Sequence, residues 1–304
     1  MKKHLLRLAF INGLLFLSIC IFAQECSDFY FTSVNGENGL SESNVKAILQ
    51  DSYGFMWFGT KNGLNRYDGT SILQFDCDDL EEGTGNHNIG ALFDDKERNL
   101  WVGTDRGVYI YNPAVDVFKR FKIASSEGIT LDNWVAEILS DSLDNIWVLI
   151  PDQGLFRYKD GKVHHYSLID KDNLKNNNPE CICINEQGEV WVGTSGIGLF
   201  KYNYRDDNFE QYLTDRMGRS LIDKTIISIC FQKENAILGI HEGDLLKYNT
   251  RTDELSEVSF LGEKKTFLRD VMCFGDEIWV GSLHGIFIIN EKENNVIHLK
   301  EDLM

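Results

Sequence analysis

Prolines number only 3 in 304 residues, so the chain is not a proline-rich linker or a collagen-like repeat. Positive charge is scarce: 30 Lys and Arg stand against 47 Asp and Glu, a net charge of −17. That balance argues against nucleic acid, whose phosphates need a basic surface. It also disfavours an anionic membrane surface or a polyanionic ligand. The seven histidines (His4, His87, His164, His165, His241, His284 and His298) form no H-x-x-H or H-E-x-x-H pair, and His164 and His165, adjacent in a strand, would point to opposite faces. There is no G-x-S-x-G elbow. The turns "DSYG", "DSLD" and "DKERN" are not calcium loops of the D-x-D-x-D-G kind. Carboxylates are plentiful, but abundance is not a glycosidase pair, and most read as solvated turns. No catalytic site and no cofactor are expected.

Long apolar runs are also missing after the first residues. "MKKHLLRLAFINGLLFLSICIFAQ" has a basic start (Lys2, Lys3, Arg7) and an apolar run from Leu8 to Ala23. Residues 1–23 read as a secretory signal peptide cleaved after Ala23, against the alternative of an uncleaved anchor. Cleavage removes three positive charges and takes the net charge from −17 to −20. Residues 24–304 are then an exported chain.

Hydrophobic residues at 43% and aromatics at 12% supply a core. They also repeat. Trp57, Trp101, Trp147, Trp191 and Trp279, with Ile237 in the fifth place, are spaced by 44, 46, 44, 46 and 42 residues. A glycine follows each six or seven residues later, and a tyrosine ten or eleven later: Tyr67, Tyr111, Tyr158, Tyr202 and Tyr248, with Ile289 as the exception. Each unit reads as four strands: a small apolar first strand, the Trp strand, a Gly-to-Tyr strand and a short alternating fourth. Four strands at this period make a β-propeller blade. The fold expectation is all-β, a propeller of four-stranded blades at 40–78, 84–122, 130–168, 175–214, 221–259 and 264–300. "DFYFTSV", residues 28–34, reads as a strand that would close a seventh blade, leaving an incomplete ring. The alternative is a six-bladed ring with an accessory strand. The recurring Trp and Tyr are taken as packing between blades. The first strands, in this reading, line a centre where only Ala, Ile, Val, Cys or Gly fit.

Of the six cysteines after residue 23, Cys181, Cys183, Cys230 and Cys273 lie in apolar runs at the same stage of the repeat. They read as free, buried core filler. Cys26 and Cys77 are left unassigned.

"ENGLSESNVKAILQDSYGFMWFGTKNGLNRYDG", Glu37 to Gly69, resembles the two-component regulator propeller repeat. The likeness is strong in units one, two and four. It weakens in unit three ("WVLIP") and in unit five, which lacks the Trp. The resemblance implies the periplasmic sensor region of Bacteroidetes-type hybrid two-component histidine kinases. Such propellers sense oligosaccharides, and the kinase, membrane span and second propeller lie in parts this sequence does not contain. The implied partners are an oligosaccharide or other small ligand, the rest of the sensor kinase and a homodimer partner. A membrane enters only through those further parts. The rival reading is a free-standing exported propeller that scaffolds other proteins.

Candidate ligand residues sit where strands one and three begin. Asn44, Asn88, Trp134 and Asn178 precede the first strands of units one to four and would ring the channel mouth. The asparagines read either as Asx-turn formers or as sugar-binding amides. Trp134, the one tryptophan out of register, reads either as a sugar platform or as a plug over the channel. Lys61, Arg106, His241 and His284 sit in the loops between strands two and three, on the same face. Metal ligands are not expected.

Overall fold

The computed structural model describes residues 32–75, 88–122, 125, 128–168, 178–260 and 266–300. The signal-peptide reading, Cys26, Cys77, His87 and most of the proposed closing strand lie outside these residues, and 32–34 form no strand.

Among the described residues, twenty-four strands form six antiparallel groups of four, each in chain order. Blade 1 is β1 (Val45–Gln50), β2 (Met56–Thr60), β3 (Gly63–Tyr67) and β4 (Ile72–Phe75). Blade 2 is β5 (Ile89–Asp94), β6 (Leu100–Thr104), β7 (Gly107–Asn112) and β8 (Val117–Arg120). Blade 3 is β9 (Glu137–Ser140), β10 (Ile146–Ile150), β11 (Gly154–Lys159) and β12 (Lys162–Tyr166). Blade 4 is β13 (Pro179–Ile184), β14 (Val190–Ile197), β15 (Leu199–Asn203) and β16 (Asn208–Tyr212). Blade 5 is β17 (Ile222–Gln232), β18 (Asn235–Ile240), β19 (Leu245–Asn249) and β20 (Glu254–Glu257). Blade 6 is β21 (Leu268–Phe274), β22 (Glu277–Ser282), β23 (Gly285–Asn290) and β24 (Asn295–Leu299).

A four-stranded sheet cannot cover both of its own faces, so blades must stack. They do so in sequence, β1 against β5, β5 against β9, β13 against β17 and β17 against β21. The indole of one blade meets the tyrosine of the next: Trp57 with Tyr111, Trp101 with Tyr158, Trp147 with Tyr202 and Trp191 with Tyr248. The acidic turns that looked merely solvated have a packing task. Asp51, Asp95 and Asp141 each accept the indole N–H of their own blade's tryptophan at 2.7–2.9 Å, while backbone amides of the turn bond the other carboxylate oxygen. Burying an indole N–H without a partner is costly, so the aspartate completes the Trp position. Tyr111, Tyr202 and Tyr248 likewise donate to an aspartate five residues on, each at positive φ in the outer hairpin.

Two blades break the pattern. In blade 4, Ser195–Ile197 extend β14 and pair with the start of β17, joining blades 4 and 5 in one sheet. At the blade 5–6 interface, Cys230 and Cys273 are joined in a disulfide, contrary to the free-thiol reading. The reason is strand parity. Cys230 pairs with Ile237, in the tryptophan's place, and faces blade 6; Met272 holds the matching place opposite Trp279, so Cys273 lies one residue later and faces back to blade 5. Cys181 and Cys183 are free. Apolar side chains stand exposed on the outer blades, Ile48 at 62% in β1 and Phe274 at 71% in β21, whereas Ile138 and Ile182, which match Ile48 in register, are buried.

Candidate functional site

The six inner strands surround a central cavity of about 430 Å³. Its wall corrects the expectation of a small apolar lining. One register position recurs around it, occupied by Ala47, Ala91, Glu137, Cys181, Ser228 and Asp270. The residue opposite is glycine in five blades (Gly59, Gly103, Gly193, Gly239 and Gly281) and Leu149 in blade 3. Three of these glycines are required by space, Gly59, Gly103 and Gly193: a Cβ on Gly103 would lie 2.6 Å from Val135 and 2.9 Å from Ala91, whereas one on Gly281 would meet nothing nearer than 3.7 Å.

Two of the polar members bridge blades in equivalent ways. The Ile182 N–H of blade 4 donates to Glu137 Oε2 of blade 3 at 2.9 Å. The Val271 N–H of blade 6 donates to Ser228 Oγ of blade 5 at 3.2 Å, and Ser228 donates to Asp270 Oδ1 at 2.5 Å. These inner strands are sheet edges with unpaired amides, and the side chains satisfy them. Burial pushes the Glu137 carboxyl up to about 7; the Ile182 bond opposes the rise and the charge of Asp270 adds to it. Burial also raises Glu180 on the same wall, against a bond with Ser195 and the nearby His241. The wall's cation is Lys46 of β1.

The candidate mouth residues share one end of the blades. The N–H groups of Asp105, Ser195, His241 and Leu283 donate to the carbonyls of Asn88, Asn178, Thr225 and Phe267; Asn88, Asn178 and Phe267 immediately precede their inner strands and Thr225 lies within β17. Trp134 is partly buried, with Lys46 Nζ 4.5 Å from its ring centre. A Cβ on Gly90 would come within 2.6 Å of the Trp134 ring, so blade 2 leaves room for the indole. Asn178 reaches Asp152 of blade 3 at 3.5 Å. His241 packs on Phe267, ring centres 5.1 Å apart, and His284 Nδ1 bonds Thr266. Asn44, Lys61 and Arg106 are exposed, and Asn88 is partly buried. The structure thus joins Trp134 to the channel wall through Lys46, and joins His241 to Glu180, while Lys61 and Arg106 stand apart at their loop tips.

Phe267, 49% exposed, and the channel groups Lys46, Glu137, Glu180 and Asp270 were missed from sequence. Extending the mouth register to units five and six would have found Phe267. Five of the six inner strands have a one-residue irregularity near their start, as at Val45/Ala47 and Leu268/Asp270, and this shift hid which side chains face the channel; β9 pairs without one. Among the described residues no group of three His, Cys, Asp or Glu side chains could hold a metal ion, and no helix is long and apolar enough to cross a membrane. The arrangement offers hydrogen bonds, two aromatic rings and a carboxyl that titrates near neutrality.

A model of the two component regulator propeller matches residues 39–62. A histidine kinase P4 of Formosa agariphila is 48% identical over 54 residues, 18% of this chain and 4% of that protein. The extracellular domain of the putative hybrid two component system BT3049 from B. thetaiotaomicron superposes with a TM-score of 0.70 at 23% identity, over 89% of this chain and 36% of that one. That of BT4673, from the same organism, gives 0.69 at 22%, over 86% and 37%. PorZ, a surface component of the Porphyromonas gingivalis type-IX secretion system, gives 0.67 at 15%, over 90% and 44%. The chain spans little more than a third of the length of the first two structures. At these identities the superpositions establish the fold, a β-propeller, and the sequence likeness to the two component regulator propeller lies in residues 39–62.

Proposed function

We propose that this propeller is the exported, periplasmic ligand-sensing part of a hybrid two-component sensor. It binds a neutral or weakly charged oligosaccharide at the channel mouth and passes the change to a kinase in another part of the protein through rearranged subunit contacts. The observation that carries the reading is a partly exposed Trp134 over a polar cavity of about 430 Å³, in a fold shared with extracellular domains of hybrid two component systems. Aromatic rings suit the apolar faces of sugars, and the amides of Asn44, Asn88 and Asn178 suit their hydroxyls. The acidic wall and net charge of −17 disfavour a polyanion.

The test is isothermal calorimetry against a panel of neutral and acidic oligosaccharides. Binding of a neutral member is expected, with Trp134→Ala weakening it about tenfold, the equivalent of one lost stacking contact. Silence across the panel would reject the reading; binding untouched by Trp134→Ala would move the site elsewhere. The likeness to PorZ favours a second reading, a propeller that scaffolds a surface assembly. A silent panel, together with a defined complex with a surface-secretion component, would establish it.

A further inference from the structure

Blade 5 lacks the tryptophan that the other five blades carry: Ile237 stands in its place. The position opposite Ile237 on the inner strand is Cys230, and that sulfur is bonded to Cys273 of blade 6. The cross-link therefore lies where the indole is missing, between β17 and β21, and joins residues 43 apart in sequence. Otherwise the interface is packed by aliphatic side chains, Phe260 and Phe287, with the Ser228–Asp270–Val271 bonds beside the channel, Gln232 donating to the Gly275 and Glu277 carbonyls, and a Lys247–Glu291 ion pair. Both cysteines are partly exposed. Cys273 lines a cavity of about 570 Å³ with Phe231, Gln232, Gly275 and Asp276, wide enough to admit a small thiol.

We propose that the Cys230–Cys273 disulfide is a thiol-exchangeable clasp that replaces the missing interblade tryptophan and makes blade 6 the redox-responsive blade. A dithiol reductant supplies the two electrons. Its thiolate attacks Cys273 Sγ, the Sγ–Sγ bond breaks, and the electron pair leaves on Cys230, which takes up a proton from water. The reductant's second thiolate then attacks the mixed disulfide, releasing the Cys273 thiolate and closing the reductant into its own disulfide. With the clasp open, the interface has neither indole nor cross-link. Blade 6 then opens more readily than blades 2–4, and the Asp270 side of the channel wall loosens with it.

The experiment treats the folded protein with dithiothreitol under native conditions, alkylates it and maps the labelled peptides, with hydrogen exchange measured in parallel. Cys230 and Cys273 should label while buried Cys181 does not, and amides of β21–β24 should exchange at least tenfold faster with blades 2–4 unchanged. Joint Cys230→Ser and Cys273→Ser substitution should reproduce that exchange pattern without reductant. If this variant does not fold, reduction of the native protein still decides the question. A disulfide that resists dithiothreitol in the folded state, or one that is reduced with no change in blade 6 exchange, overturns the proposal.

Discussion

Glu137→Gln is the sharpest test of the channel wall. Glu137 belongs to the blade in which the facing glycine is replaced by Leu149, and its carboxyl is enclosed by protein and titrates at about 7 rather than the ordinary 4.5. Burial is the main cause, and the charge of Asp270 adds to it. Between these two values the folded protein holds a proton that the unfolded chain releases. Stability must therefore fall as pH rises from about 4.5 to about 7, and be flat with respect to this group on either side. At about 1.4 kcal/mol per pH unit, the cost of the ionised carboxylate at pH 8 is about 3 kcal/mol. Glutamine keeps an oxygen for the Ile182 N–H and cannot ionise. The variant should exceed the parent by under about 1 kcal/mol at pH 5 and by up to about 3 kcal/mol at pH 8. Urea unfolding followed by tryptophan fluorescence at pH 5, 6, 7 and 8 measures the difference, and comparison with the parent cancels Glu180 and other titrating groups. Parallel pH profiles for the two proteins would refute the placement of this carboxyl.

Other predictions follow from the repeat itself. Asp95→Ala removes the acceptor for the Trp101 N–H and the turn bonds to Asn99, and should cost about 1–3 kcal/mol in urea unfolding. Gly103→Ala forces a Cβ to within 2.6 Å of Val135 and should cost a further about 1–3 kcal/mol, whereas Gly69→Ala, with open space around it but φ of +96°, should show only its backbone strain. Loss of the Cys230–Cys273 link should lower the melting temperature by the equivalent of about 4 kcal/mol, the chain-entropy value for a loop closed by residues 43 apart. Asp270→Asn should bring the Glu137 midpoint down, visible as a shift of the unfolding pH profile toward acid.

The sequence by itself determined the blade. A tryptophan, a glycine and a tyrosine at fixed offsets, returning every 42 to 46 residues, identify four strands and their order, because hairpin pairing is local and its signals lie within one unit. It also singled out Trp134 by its failure to repeat. What faces what between blades was a tertiary decision. Cys273 meets Cys230 because a one-residue difference in position turns a side chain to the opposite face of its strand, and nothing in a single unit reveals that. Asp51, Asp95 and Asp141 become partners of indoles only once the hairpin bends back. Glu137 acquires its proton affinity only when six inner strands close around it and exclude water, since desolvation belongs to the assembled wall and not to any residue in it.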